Sequence, residues 1–375
     1  MSNKRMTAAE RRRRQYIVFS IVMVGVLSLS ALAPIFTSGI TAPTPATPTT
    51  PTPAPVIPTP IADLASITFE NQVVSSTGLF SVAVPTGWEV GTNTSTPTEA
   101  QLTQRNTPAE SVIETRVILP PTPVSDVEGV RAFFDDTWLA SSWRDYTSWD
   151  KASDAVDGDR YIADFNLRRT NRNFIARQEA WTDGTWIYMV RVVTPPNAPE
   201  QLKYVLDGVR RSLVANTQFE GAPFNWSSYF DTTNKYLIRY PSSWAVTDSA
   251  SGAPTSLAGD GASLRIETMD AGVADVAAAE AWVAQTYGAT IISAQAIDRF
   301  GTPGFAVAYE TQDADGGAIS GYVVMLVEGD RVHVADLRMP GAGIDLNAED
   351  DAQQYSTWKQ IMDSFGLFPE INSVI

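Results

Sequence analysis

The stretch "FSVAVPTGWEV", Phe80 to Val90, is written again 156 positions later as "YLIRYPSSWAV", Tyr236 to Val246. In the first, Phe80, Val82 and Val84 alternate with Leu79, Ser81 and Ala83, a period of two that Pro85 halts just before Trp88. In the second, Tyr236, Ile238 and Tyr240, then Pro241 and Trp244, stand at matching offsets. A strand, a tight turn and a tryptophan repeated in this order predict two copies of one domain. An indole beside a strand-ending turn invites a ligand-stacking role, but the simpler expectation for Trp88 and Trp244 is a plug in the core of each copy.

The agreement continues along the chain. "VIETRVIL", Val112 to Leu119, corresponds to "LRIETM", Leu264 to Met269, each a strand feeding a helix. Ser125 and Glu128 have the spacing of a capping box, and Val127, Val130, Phe134 and Trp138 share one helical face. Adding 149 gives Val276, Ala279, Val283 and Tyr287, the same stripe in a different sequence. "GTWIYMVRVVTPP" from Gly184 matches "GDRVHVADLRMPG" from Gly329 at an offset of 145, and Leu206, Val209 and Leu213 match Trp358, Ile361 and Phe365 at 152. Offsets that drift between elements place insertions in loops. Strands joined by short turns such as "TDG" (Thr182 to Gly184) and "DADGG" (Asp313 to Gly317) argue for an antiparallel meander. The fold class expected is α+β: two similar domains, each an antiparallel sheet covered by helices, over residues 66–216 and 217–375, with Gln218 to Ser228 as the link.

A chain of 375 residues without cysteine has no disulfides and no thiolate chemistry, and its one histidine, His333, excludes His-pair zinc motifs. Residues 66–216 carry 14 basic against 19 acidic side chains, a balance of −5, and residues 217–375 carry 7 against 21, a balance of −14. Such a surface repels nucleic acid, so no nucleic-acid partner is expected.

Ahead of the two copies, residues 1–15 form a basic tail and "YIVFSIVMVGVLSLSALAPIF", Tyr16 to Phe36, has no charged residue. A helix of that length spans roughly 30 Å, one bilayer crossing. The competing reading is a cleaved signal peptide ending at Ala31-Leu32-Ala33, but Pro34 would then be the first mature residue, which disfavours cleavage. A retained signal anchor is therefore expected, with "RRRR" holding the N-terminus in the cytoplasm and the domains outside a bacterial cell membrane. The proline-rich linker, residues 37–65, should act as a semi-rigid extended stalk.

The order hairpin, strand, helix, meander, terminal helix, with "F-x-V-x-V-P-x-G-W" near its start, resembles the PsbP-like (Mog/PsbP) superfamily over about residues 66–215 and 218–370. The resemblance implies a tandem of PsbP-like α/β/α sandwiches that act as binding or assembly modules. It carries no functional residue over to this chain. The second copy departs from the motif with Ser242-Ser243 before its Trp, and the lipobox cysteine of bacterial relatives is absent.

Catalytic signatures are missing: no G-x-S-x-G, Walker loop, H-E-x-x-H or dinucleotide glycine fingerprint. No enzyme, cofactor or metal is expected. "DADGG" lacks the later ligands of a calcium loop and reads as a turn, "AEDD" (Ala348 to Asp351) should begin the last helix, and His333 reads as a half-buried strand residue. Within the two copies, positive charge concentrates at "LRRTNRN" with Arg177, so Arg168, Arg169, Arg172 and Arg177 are the candidate partner-binding residues, against an ordinary solvated turn. The expected function is a non-catalytic, membrane-anchored extracytoplasmic protein-binding or assembly module. The alternative is a small-molecule or glycan-binding module using a cleft between sheet and helix.

Overall fold

The computed structural model describes residues 57–250, 252–270, 272–369 and 371. The basic tail, the expected span Tyr16 to Phe36 and most of the proline-rich linker lie outside the described residues. Among the described residues no helix is long and apolar enough to cross a membrane.

In chain order the first half contains β1 (Asn71–Val74), β2 (Phe80–Val84), β3 (Glu89–Thr96), β4 (Glu99–Asn106), β5 (Ser111–Ile118), α1 (Val127–Phe133), α2 (Asp136–Ser142), β6 (Ser148–Asp157), β7 (Arg160–Arg169), β8 (Arg172–Thr182), β9 (Ile187–Thr194), α3 (Pro199–Ser212) and β10 (Val214–Ala215). The second contains β11 (Ser227–Phe230), β12 (Tyr236–Tyr240), β13 (Trp244–Asp248), β14 (Thr255–Gly259), β15 (Ala262–Asp270), α4 (Val276–Tyr287), β16 (Thr290–Arg299), β17 (Thr302–Gln312), β18 (Ala318–Glu328), β19 (Arg331–Pro340), α5 (Glu349–Gln354), α6 (Ser356–Asp363) and β20 (Gly366–Leu367).

The two halves are similar sheet-dominated domains. Each has a seven-stranded sheet, in the order β3-β4-β5-β9-β8-β7-β6 and β13-β14-β15-β19-β18-β17-β16, and a small sheet, β1-β2-β10 and β11-β12-β20. Both large sheets are antiparallel throughout. After β5 or β15 the chain crosses through helices to the far edge and returns as a meander.

Alternation along each central strand feeds two cores. In the first half, Met189, Val193 and Phe165 pack under α1 and α2 with Val130 and Leu139, while Val190 and Val192 face α3 through Leu202, Val205 and Val209. In the second, Val323 and Tyr309 meet α4 through Ala279 and Val283, and Leu337 meets α6 through Ile361 and Met362.

The first helix departs from expectation. Asp126, not Ser125, caps α1 by accepting from the Gly129 amide at 2.8 Å, and Asp135 caps a separate α2 by accepting from the Trp138 amide at 2.8 Å. A second N-cap acid within the stripe splits the helix. The second half, with an alanine-rich stretch there, keeps one helix that ends at Gly288.

β2 also departs: Phe80 to Ala83 are buried on both faces, not one. The core around Leu79, Phe80 and Val82 is a shared seam, since it also contains Phe230, Leu237, Phe368 and Ile371 of the second half. The described residues accordingly fall in one compact unit, Pro55–Ile375. At the seam the Ser228 amide donates to the Ser76 carbonyl at 2.7 Å. Gly78 permits this approach, since its φ is +72° and a Cβ there would lie 3.0 Å from the Ser228 Cβ.

Candidate functional site

Trp88 and Trp244 are both buried, at 5% and 3% exposure. Each amide closes the turn by donating to the proline carbonyl three residues earlier, Pro85 at 2.9 Å and Pro241 at 3.0 Å. The Trp244 indole donates to Asp260 Oδ2 at 3.0 Å and lies against Gly259, where a Cβ would fall 2.4 Å from the ring.

The four arginines are sorted by the β7–β8 hairpin. Its register opposes Arg169 to Arg172, Arg168 to Asn173 and Asp164 to Arg177. Arg177 closes a two-point contact on Asp164, Nε to Oδ1 at 2.7 Å and Nη2 to Oδ2 at 2.9 Å, and the hydrogen bond from Arg177 holds that carboxyl below its usual range. Arg172 pairs with Glu110 in the β4–β5 turn. Glu110 and Thr170, in the two turns that this pair connects, both have left-handed backbones, φ 49° and 55°. Arg168 donates to the Thr170 carbonyl of its own hairpin, at 3.3 Å. Arg168 and Arg169 are exposed, and among the described residues neither takes part in an ion pair.

Two concavities adjoin this hairpin. A groove of about 390 Å³ is lined by Ser148, Asp150, Asn166, Arg168, Asn173 and Phe174 among others. A smaller pocket of about 130 Å³ is lined by Ile57, Glu110, Asn171, Arg172 and Pro195, and it shares Asn173 and Pro196 with the groove. Guanidinium and amide donors over an apolar floor can bind carboxylate and peptide groups. Between each large sheet and its helices, side chains of both pack together as core.

A second polar cluster was not anticipated. Arg191 of β9 is fully buried, its guanidinium carbon 3.8 Å from the centre of the Trp143 ring, and its Nη2 donates to Glu114 Oε2 at 2.5 Å and to Ser142 Oγ at 2.8 Å. Burial would raise the Glu114 pKa, but Arg191 and Arg116 outweigh it and hold the carboxyl low. The offset of 145 that matches Gly184 to Gly329 also matches Arg191 to Asp336. Glu114 pairs across strands with Arg191, and Arg265 with Asp336, so the signs are exchanged at one place in the duplicated sheet. Asp336 accepts from the Tyr309 hydroxyl at 2.7 Å and from Arg338 Nε at 3.0 Å, yet burial keeps its pKa raised. A charged residue at matching positions of two apolar strands was the signal available in the sequence.

His333 is fully rather than half buried, with Nδ1 2.9 Å from Thr268 Oγ1 and Nε2 3.4 Å from Glu328 Oε2, and burial lowers its pKa. In "DADGG" the Asp313 carboxylate accepts from the Asp315 and Gly317 amides of its own turn, at 2.9 and 2.6 Å. "AEDD" opens α5, with Ala348 at the N-cap and its three acids in the first turn. Among the described residues no cluster of acidic, histidine or cysteine side chains has the arrangement to hold a metal ion.

No family profile and no curated protein matches the chain. Among solved structures it is similar to the cyanobacterial PsbP (CyanoP) of Synechocystis sp. PCC 6803, at 16% identity and a TM-score of 0.29 over 38% of this chain and 92% of that one. It is also similar to the T6SS immunity protein TplEi of Pseudomonas aeruginosa, at 10% identity and a TM-score of 0.23 over 81% and 98% of the two chains. The Tle4–Tli4 complex contains a chain at 10% identity and a TM-score of 0.22, over 83% and 100%.

Proposed function

We propose that this chain is a non-catalytic, single-pass envelope protein whose paired PsbP-like domains bind a protein partner outside a bacterial cell membrane, docking it at the β7–β8 hairpin. The observation that carries the reading is the sorting of its arginines: Arg172 and Arg177 are spent on Glu110 and Asp164, while among the described residues Arg168, which lines a groove of about 390 Å³, and its exposed neighbour Arg169 are in no ion pair. Such groups recruit carboxylates on an acidic surface. The uncharged run Tyr16 to Phe36 behind a basic tail supports the anchor and the outward orientation. The shared core supports one compact unit that carries both halves and the hairpin.

The test is co-purification from native membranes by wild type, by the pair Arg168→Ser and Arg169→Ser, and by the pair Arg172→Ser and Arg177→Ser. The first pair is expected to weaken retention of a stable partner and its salt sensitivity while leaving melting unchanged. The second is expected to lower melting. Equal retention at low salt by wild type and a folded first pair would overturn the docking assignment. A chain that purifies alone but carries a bound glycan or small molecule would favour a ligand-binding module.

A further inference from the structure

The duplicated large sheets end in corresponding ten-residue edge strands, β6 and β16. Both carry a bulge, at Lys151/Ser153 in β6 and at Ile291/Ser293 in β16. They differ in charge. β6 carries Asp150, Lys151, Asp154 and Asp157, with Asp154 paired to Arg131 and Lys151. β16 has no charged residue from Thr290 to Ile297. Charged side chains on an edge keep other strands from adding to it, and a long uncharged edge is a template for strand addition.

The two faces of β16 are already in use. Ile291 and Ala294 pack into the core beneath α4. Ser293 and Gln295 bond the Asp345 and Asn347 side chains at 2.7 and 2.8 Å. Among the described residues no strand pairs with the outer row of main-chain N–H and C=O groups, beside an Ile292 that is 39% exposed. Water solvates such a row in the free chain, and another extended backbone can take its place along the whole length.

We propose that β16 accepts an extended, basic segment of a partner polypeptide as an eighth strand of the second sheet. The charge balance selects the occupant. Residues 217–375 hold 7 basic against 21 acidic side chains, so two copies of this half repel one another, whereas a lysine- or arginine-bearing strand is drawn in. The surface is separate from the arginine hairpin, and its acceptance of a basic strand does not depend on that site.

The test is amide hydrogen exchange on the full chain with a synthetic ten-residue peptide alternating valine or threonine with lysine. At saturation, exchange across Thr290 to Ile297 is expected to slow by about tenfold or more, with β6 unchanged. A peptide with glutamate in place of lysine should protect far less. Ile292→Lys combined with Ala296→Lys should abolish protection without changing melting, and Arg168→Ser with Arg169→Ser should leave it intact. No protection of β16 at saturation, equal protection of β6, or equal effects of the lysine and glutamate peptides would overturn the proposal. Self-association of the chain through β16 in sedimentation would do so as well, since it makes a second copy the occupant.

Discussion

Arg239 Nε, in β12, donates to the main-chain carbonyl of Thr77, in the β1–β2 turn, at 2.6 Å. The side chain is fully buried, its Nη2 donates to the Pro223 carbonyl at 2.6 Å, and its guanidinium carbon lies 5.1 Å from the centre of the Phe219 ring. Burial without a carboxylate partner lowers its pKa to about 10. One side chain from the second half thus ties down a turn of the first and the link between them.

Replacing Arg239 with alanine leaves the buried Thr77 carbonyl without this donor, removes one of two donors to the Pro223 carbonyl, and is expected to cost about 2–4 kcal/mol in denaturant unfolding of the full chain. Arg239→Met, which keeps the stem but not the donors, should recover part of the loss. An unchanged unfolding midpoint for Arg239→Ala would show that the seam holds without it.

Trp244→Ala removes a buried ring and its bond to Asp260, with an expected loss of about 3–5 kcal/mol. Gly259→Ala should also destabilise, because the new methyl would meet the indole at 2.4 Å. A Trp244→Ala chain with wild-type melting but lost partner retention would reassign the ring to binding.

The exchanged charges at Glu114 and Asp336 predict opposite pH dependences. Glu114 titrates lower in the fold than its ordinary 4.5, so its contribution is present above that value and lost as pH falls through the folded one. Asp336 titrates higher than its ordinary 3.8, so its contribution declines as pH rises from there through the raised value. Stability measured against pH should lose part of its acid-side fall in Glu114→Gln, and Asp336→Asn should gain relative to wild type above the raised value. Identical pH profiles for both variants and wild type would refute the assignment.

Phe300 has a left-handed backbone, φ 54°, in the β16–β17 turn, while its ring packs against Phe219 and Phe368 at 5.6 and 5.9 Å. Aromatic pairs contribute about 0.5–1.5 kcal/mol each and left-handed backbone costs an L-residue about 1–2 kcal/mol. Phe300→Ala keeps the strain and loses the ring, whereas Phe300→Gly loses both. Melting temperatures should therefore rank wild type above Phe300→Gly and Phe300→Gly above Phe300→Ala; the reverse order of the two variants would mean that the turn is not strained.

The duplication, the antiparallel meander and the burial of Trp88 and Trp244 were legible in the sequence, because strand alternation and turn residues act within a few positions of one another. β6 was not legible, since Asp150, Lys151 and Asp154 break the apolar alternation on a strand that has only one neighbour. The split between α1 and α2 was missed because Asp135 reads equally well as a surface helix residue or as a cap.

The amino-acid order by itself determined that one strand–turn–tryptophan unit occurs twice, and that a charged residue interrupts an apolar strand at Arg191 and again at Asp336. Tertiary structure decided which charges are spent. Arg172 meets Glu110 across 62 residues and Arg177 meets Asp164 across 13, so only the strand register and the placing of two turns separate paired arginines from the exposed Arg168 and Arg169. It also decided that the halves share a core, because alternation along β2 reports which face a strand can bury but not which distant residues will cover it. Local pattern carries the first kind of information; ion pairing and the seam depend on distances between residues far apart in the chain, which exist only once the strands are in register.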